Sequence, residues 1–132
     1  MLMMDFNLKP YEWQENMDVI MQNVNLNRIS VEKNFTMTFD FLNRCDGAEY
    51  KKITCSSVWM FSSSINMPTE GFPFFVCDVR TIKLKDCDVQ SAFEHFRFGL
   101  SIPESDEYIL LCVDDGDLSI ALICKKIEIY DA

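Results

Sequence analysis

His95 is the one histidine of the chain, and histidine is the type of side chain best suited to proton transfer near neutral pH. A cysteine–histidine nucleophile pair could be formed with Cys87, eight residues earlier. His95 nevertheless stands beside Phe93 and Phe96, whose spacing is typical of the apolar face of a helix. We therefore interpret His95 as a surface residue, and a small enzyme using His95 is kept as an alternative function.

The motifs of the common catalytic and cofactor sites are absent from the sequence. It contains no phosphate-binding loop, no dinucleotide fingerprint, no zinc-protease helix and no nucleophile elbow. The acidic run from Asp114 to Asp117 has the wrong spacing for a calcium loop. The sequence therefore predicts a non-enzymatic protein that uses no cofactor and no metal.

Six cysteines stand at positions 45, 55, 77, 87, 112 and 124. No pair has the C-x-x-C spacing, and with a single histidine a structural zinc site is not expected. An even number of cysteines permits a disulfide framework, but the first residues do not form a secretion signal, because Asp5 interrupts their short apolar stretch. We expect reduced thiols, several of them filling apolar strand positions, and a cytoplasmic location.

The charge balance is strongly acidic, with 21 acidic and 12 basic side chains and a net charge of −9. Proteins that bind nucleic acid or anionic membranes need a positive field, so neither partner is expected. A basic protein partner would be attracted and would associate faster at low salt. The alternative is that the acidity only keeps a sticky β protein soluble.

One stretch of the sequence is more acidic than the rest of the chain. Lys and Arg are absent between Arg97 and Lys125, a stretch that holds six candidate partner-binding residues, namely Glu104, Asp106, Glu107, Asp114, Asp115 and Asp117. The first three precede a predicted strand over 108–113 and the last three follow it, so they should form two acidic spots at opposite ends of that strand. Ordinary solvated turns are the alternative interpretation.

Residues 10–24 predict a helix at the N-terminal end. Apolar residues recur there at intervals of four, three and four, at Trp13, Met17, Ile20 and Val24. Pro10 suits the first helical position. A strand over 19–24 is the competing interpretation.

Further along, the apolar period changes to two. Apolar residues alternate with polar ones at Phe35, Met37, Phe39 and Phe41. This pattern predicts a strand buried on one face, and it recurs over 53–61 and 74–85. Residues 62–73 read as the longest loop. Residues 89–94 favour a short helical turn capped by Asp88, followed by a strand over 96–102, although a helix through Leu100 fits the pattern equally well.

The clearest local signal is a C-terminal hairpin. Apolar runs over 108–113 and 118–124 flank Asp115-Gly116, which suits a two-residue turn. That register places Val113 opposite Leu118, and both faces of the hairpin are apolar, which is typical of the interior of a packed sheet. The parity of the apolar residues changes afterwards, which predicts a bulge near Lys125-Lys126.

Together these patterns predict a single domain over residues 1–132. The fold class is β-rich, either all-β or α+β, with a mostly antiparallel sheet of about seven strands, one N-terminal helix and the C-terminal hairpin. No alternation of strands and helices is present, which disfavours a parallel sheet.

The size, the acidity and the closing pattern over 108–120 and 124–129 resemble the small acidic immunity proteins of bacterial polymorphic-toxin systems. This resemblance implies a non-enzymatic protein-binding module that neutralises a cognate toxin, here through an acidic surface and a basic protein partner. An acidic inhibitor that imitates nucleic acid and a secretion chaperone are the alternatives. The oligomeric state is left open.

Overall fold

The computed structural model describes residues 15–65, 75–98, 107–114 and 118–131, and the structural statements below concern these residues. The strands are β1 (Asp18–Glu32), β2 (Thr36–Asn43), β3 (Glu49–Ser56), β4 (Met60–Ile65), β5 (Phe75–Lys83), β6 (Ile109–Asp114), β7 (Leu118–Cys124) and β8 (Lys126–Asp131). A 3-10 turn, Leu84–Asp86, precedes helix α1 (Val89–Phe96). The predicted β-rich antiparallel fold is confirmed, with eight described strands where about seven were expected.

The helix predicted over residues 10–24 is wrong from Asp18 onward, because that segment belongs to β1 and the competing interpretation as a strand is correct. Residues 10–14 lie outside the described residues. Strand β1 is irregular: its register against β5 shifts twice between Val19 and Val24, and Asn23 has a φ of 52°. Of the apolar series that predicted the helix, Ile20 and Val24 belong to one cluster of core residues and Met17 packs against another, so the helical spacing does not mark one common face.

The sheet closes on itself into a cylinder. Its strand order is β4-β7-β6-β5-β1-β2-β3-β8, and each neighbouring pair is antiparallel. Strand β3 runs through residues 57–59 into β4, and β7 runs through Lys125 into β8, so the two ends of this order are halves of one bent two-stranded ribbon. At the bend, two hydrogen bonds connect the two strands of the ribbon, from Lys125 N to Ser56 O at 3.2 Å and from Trp59 N to Ile123 O at 2.7 Å.

The inner core fills the cylinder with side chains from six strands. Its members are Met21, Val24, Leu26, Met37, Phe39, Phe41, Ile53, Cys55, Cys77, Val79, Leu111, Val113, Ile120, Leu122 and Cys124. The outer core lies between α1 and the outside of the sheet. Its members are Ile82, Leu84, Ala92, Phe93, Leu110, Cys112, Ala121 and Ile123. Strands β6 and β7 contribute to both cores, which confirms that both faces of the C-terminal hairpin are covered.

The register of this hairpin differs from the prediction by two residues. Val113 lies opposite Ile120, not Leu118, and the last pair before the loop is Asp114 with Ser119. The two-residue turn at Asp115-Gly116 is therefore wrong, since four residues separate that pair, and 115–117 lie outside the described residues. A slip of two preserves which face each side chain occupies, so the apolar pattern could not distinguish the two registers.

The change of parity at Lys125 is confirmed, and it coincides with an irregularity of the ribbon. Between the pairs Ser56–Lys126 and Met60–Ile123, three residues (57–59) of one strand stand opposite two (124–125) of the other. The predicted loop over 62–73 is wrong for residues 62–65, which belong to β4, and residues 66–73 lie outside the described part.

Helix α1 begins where the sequence predicts. The Asp88 carboxylate accepts hydrogen bonds from the Ser91 backbone N–H at 3.2 Å and from the Ser91 hydroxyl at 2.9 Å. Arg97 ends the helix in a left-handed conformation with a φ of 56°. The helix is two residues longer than the predicted turn, and the strand expected over 96–102 is wrong at Phe96, with residues 99–102 outside the described part.

Candidate protein-binding surface

The two described members of the predicted acidic set lie at opposite ends of β6. Glu107 comes just before the strand and Asp114 ends it, which separates them by about 23 Å at the usual rise of a strand. Glu104, Asp106, Asp115 and Asp117 lie outside the described residues. The two described carboxylates therefore belong to separate spots, and a partner-binding role for the six residues stays a prediction.

Each of these two carboxylates has a cationic neighbour. Glu107 pairs with Lys125 at 3.2 Å, and this hydrogen bond raises the pKa of the lysine. Asp114 pairs with Arg80 at 2.9 Å, and the same guanidinium reaches Asp78 at 3.2 Å. The local negative potential is therefore partly neutralised at both ends of β6, which a count of charges along the sequence cannot reveal.

The candidate nucleophile Cys87 has the wrong ionisation for catalysis. Burial raises the pKa of its thiol to about 11, with the neighbouring carboxylates of Asp88 and Asp86 adding to the effect. The thiol donates to the Leu84 carbonyl at 3.3 Å. His95 is exposed on α1 and meets the Phe96 ring edge-on at 4.6 Å. A protonated thiol at neutral pH is the opposite of an activated nucleophile.

The described part of the chain was compared with the requirements of metal sites and of membrane-spanning helices. It contains no cluster of three or more potential metal ligands. All six cysteines are free thiols. Within the same residues, no helix has the length and hydropathy that crossing a bilayer requires.

A polar surface pocket of about 270 Å³ lies against β1, β2, β3 and the end of β8. Its charged lining residues are Arg28, Asp40, Glu49, Lys51, Lys52 and Asp131. The Lys51 ammonium pairs with Asp131 at 2.8 Å, and this hydrogen bond holds the pKa of the carboxyl below its usual range. Three cations and three carboxylates balance each other, so this pocket has no net charge with which to select an ionic ligand.

Large apolar side chains are exposed at one end of the cylinder, where the β1–β2 turn meets the bend of the ribbon. We call this the aromatic surface; its exposed members are Val31, Phe35, Trp59 and Phe61, and the half-buried Tyr108 lies beside Trp59. Phe35 is 79% exposed, Val31 77%, Trp59 47% and Phe61 41%. Exposed aromatic side chains close together are typical of protein interfaces.

Phe35 is held at this end by backbone contacts and not by its own side chain. Residues 33–35 form the turn between β1 and β2, in which both Asn34 and Phe35 have left-handed conformations, with φ of 63° and 56°. The Phe35 carbonyl accepts a hydrogen bond from the Val58 N–H at 2.9 Å, which ties the turn to the bend. A bulky residue at positive φ is an outlier, and its ring gains no burial in return.

Trp59 connects the bend with the first acidic spot. Its ring meets Tyr108 edge-on at 5.8 Å, and the Lys125 ammonium lies 5.4 Å from the centre of the Tyr108 ring. Because Lys125 also pairs with Glu107, a continuous set of contacts runs from the exposed indole to an exposed carboxylate. The aromatic surface therefore has a charged rim.

The sequence pattern missed this surface. Phe35 was predicted as the first buried position of a strand and Trp59 and Phe61 as parts of a second, but Phe35 lies in a turn, and Ser57, with a φ of 54°, interrupts the second run. Both errors arise where a residue with positive φ shifts the alternation of faces. Lys33-Asn34 is predicted from the sequence as a turn between a short strand at Ile29 and Val31 and the strand that follows, and the structure extends this turn by one residue to Phe35.

These observations define a small closed antiparallel sheet with one covering helix and an exposed aromatic end. A family model described as "-like:-like" matches residues 19–131, which is most of the chain, and the chain belongs to the family which that model defines. No curated protein matches the sequence. The fold is similar to that in the crystal structure of an uncharacterized protein from Neisseria gonorrhoeae, with 18% sequence identity, a TM-score of 0.59, and coverage of 86% of this chain and 95% of that one.

Proposed function

We propose that this protein is a non-enzymatic protein-binding module that docks its partner on the aromatic surface. The observation that carries the proposal is Phe35, whose ring is 79% exposed on a backbone conformation unfavourable for phenylalanine. Such a residue costs stability and adds nothing to either core. A role in contacting another molecule gives a physical reason for its presence.

The residues around Phe35 have the arrangement that is typical of a protein interface, with aromatic side chains at the centre and a polar rim. Aromatic side chains provide large contact areas at a low cost in side-chain entropy, and a polar rim excludes water around them. Trp59 and Tyr108 supply further rings, and Glu107 with Lys125 supplies the rim. The net charge of −9 favours a basic partner, since opposite charges accelerate association.

Neutralisation of a cognate toxin is the specific form of this function that we propose. Its support is the resemblance of the closing sequence, together with the size and the acidity of the chain. A cytoplasmic site of action would agree with six free thiols. The product of the neighbouring gene is the first candidate partner, and co-expression followed by co-purification tests it.

The docking surface is tested with a photo-crosslinking amino acid introduced at position 35. A second protein carries the same group in place of Tyr50, an aromatic residue that is 37% exposed on β3 and outside the aromatic surface. We expect irradiation in the native host to yield a defined adduct from position 35 and none from position 50. Equal labelling of the same protein from both positions would contradict the proposal.

Affinity for the purified partner then separates the roles of the ring and the charge. The variant Phe35→Gly should weaken binding by about 2 kcal/mol or more, the loss expected of an interface hot spot, whereas Tyr50→Ala should change it little. Measuring both at low and at high salt shows how far acidity contributes. If Phe35→Gly binds the partner with unchanged affinity, the aromatic surface is not the docking site.

A further inference from the structure

Cys55 on β3 and Cys124 at the end of β7 face each other inside the cylinder. Both are fully buried in the inner core, and neither is bonded to another cysteine. They lie on the two strands of the bent ribbon, on either side of the bend. The hydrogen bond between Lys125 N and Ser56 O, at 3.2 Å, joins the residues that directly follow them.

The two thiols are in direct contact. A hydrogen bond with the Cys124 thiol, together with burial, raises the pKa of the Cys55 thiol far above its usual range. The other buried thiols have different partners: Cys77 donates to the Val24 carbonyl at 3.4 Å, and Cys112 belongs to the outer core. Cys55 and Cys124 are joined by a hydrogen bond between their thiols, whereas Cys87 affects Cys112 through its charge.

We propose that Cys55 and Cys124 form a reversible disulfide that locks the closure of the cylinder. The oxidant is a small disulfide of the glutathione class. One cysteine, as its thiolate, attacks a sulfur of that disulfide and releases one small thiol, which leaves a mixed disulfide. The second cysteine then attacks the mixed disulfide, the second small thiol leaves, and two electrons and two protons have passed from the protein to the oxidant.

The position of the pair determines what the bond would do. The strands of the ribbon are held together at the bend by hydrogen bonds and by the packing of inner-core side chains, and separating them opens the cylinder. A covalent bond across the bend would prevent this opening. Because the bond closes a loop of about 70 residues, it should raise the midpoint of unfolding in guanidinium chloride by about 1 M.

Oxidation should be slow in the closed state, because a buried thiol is protonated and inaccessible. Brief separation of the strands at the bend would expose both sulfurs together. We therefore expect the rate to rise with pH and with low concentrations of urea that leave the protein folded. This dependence distinguishes the pair from Cys45, which is exposed and should form a mixed disulfide at once.

The test is equilibration of the native protein in buffers of reduced and oxidised glutathione, followed by alkylation, digestion and mass spectrometry. We expect a linked pair of peptides that contain Cys55 and Cys124, with a mass about 2 Da below the sum of the two reduced peptides. Its unfolding midpoint should be higher than that of the reduced protein. The variant Cys77→Ala, which removes another thiol of the inner core, should behave as the wild type does.

Three outcomes would overturn the proposal. They are a linked pair of other cysteines, such as Cys87 with Cys112; mixed disulfides without an internal bond under conditions that open the bend; and an internal bond that lowers the midpoint. All three outcomes are measured on the wild-type protein. The test therefore does not require that a variant such as Cys55→Ala folds. Because partner binding is not part of this assay, its result is independent of the proposed function.

Discussion

Phe35 and Phe39 stand four residues apart at the start of β2, and they meet opposite environments. Phe39 is fully buried in the inner core, whereas Phe35 is 79% exposed in the turn that precedes the strand. Burial of the Phe39 ring removes a large apolar area from water and stabilises the fold. The Phe35 ring, which is mostly exposed, obtains little of this gain.

The same contrast separates two larger regions. Strands β6 and β7 are covered on both faces, by the inner core and by the outer core beneath α1. At the β1–β2 turn and at the bend of the ribbon, by contrast, the side chains of Val31, Phe35 and Trp59 remain exposed to solvent. The residues that stabilise the fold are therefore different from those of the proposed docking surface, and substitutions should be able to affect stability without affecting binding, or the reverse.

The largest expected effect is that of Phe39→Ala. It removes a fully buried ring from the inner core and leaves a cavity, so the free energy of unfolding should fall by about 3–5 kcal/mol. Urea denaturation followed by circular dichroism measures this loss. A decrease below about 1 kcal/mol would mean that the cylinder is not packed around this residue.

An alkaline loss of stability should follow from the buried thiols. Burial raises the pKa of Cys87 from 9.0 to about 11, and burial likewise raises the pKa of Cys112. The folded state therefore favours the protonated thiols, so their contribution is complete below pH 9 and is lost as the pH rises towards 11 and beyond. Urea midpoints at pH 7, 9 and 10.5 measure the decline.

The variant Cys87→Ala is the matched control for this pH dependence. It should reduce the decline between pH 9 and 11 without abolishing it, because Cys112 and Cys55 still titrate. A stability that stays constant up to pH 11 would contradict the burial of these thiols.

Phe35→Gly should have a small effect on stability, in contrast to Phe39→Ala. Glycine adopts positive φ without strain but loses more freedom on folding, so the free energy of unfolding should stay within about 1 kcal/mol of the wild type. Phe35→Ala keeps the strain while it removes the ring, and it should be less stable than Phe35→Gly. The reverse order would show that the turn is not left-handed at this position.

The smallest expected effect concerns the cap of α1. Hydrogen bonds from the Ser91 hydroxyl and N–H lower the pKa of Asp88, so the charged cap stabilises the fold above the ordinary pKa of 3.8 and this contribution is lost as the pH falls below it. Asp88→Ala should lower the thermal midpoint slightly at pH 7, and the difference should shrink near pH 3. Asp88→Asn, which retains a capping oxygen, should lie between the two.

Alternating patterns predicted which residues the sheet would bury wherever its strands are regular. Leu111, Ile120 and Leu122 occupy the expected face even though their register was wrong by two residues. The pattern failed at irregular backbone. A helix was predicted where the irregular strand β1 lies, and positive φ values at Phe35 and Ser57 changed the phase of two strands.

The candidate site was harder to predict because it depends on contacts between distant residues. Sequence spacing placed Glu107 and Asp114 at the two ends of a strand. It could not show that Arg80 on the neighbouring strand pairs with Asp114, or that the turn at Phe35 lies beside the bend at Val58. Such proximity is set by sheet order, which local patterns do not encode.

The bent ribbon has a consequence for the order of folding. Its strands join residues as far apart as Lys51 and Asp131, which are separated by 80 positions, whereas the β1–β2 hairpin is closed by a three-residue turn. Chain entropy makes such distant pairings slow to form, so the local hairpins should assemble first. The pairing between the two strands of the ribbon, which closes the cylinder, should form last. Until that moment the future interior is accessible to water, and to other unfinished chains.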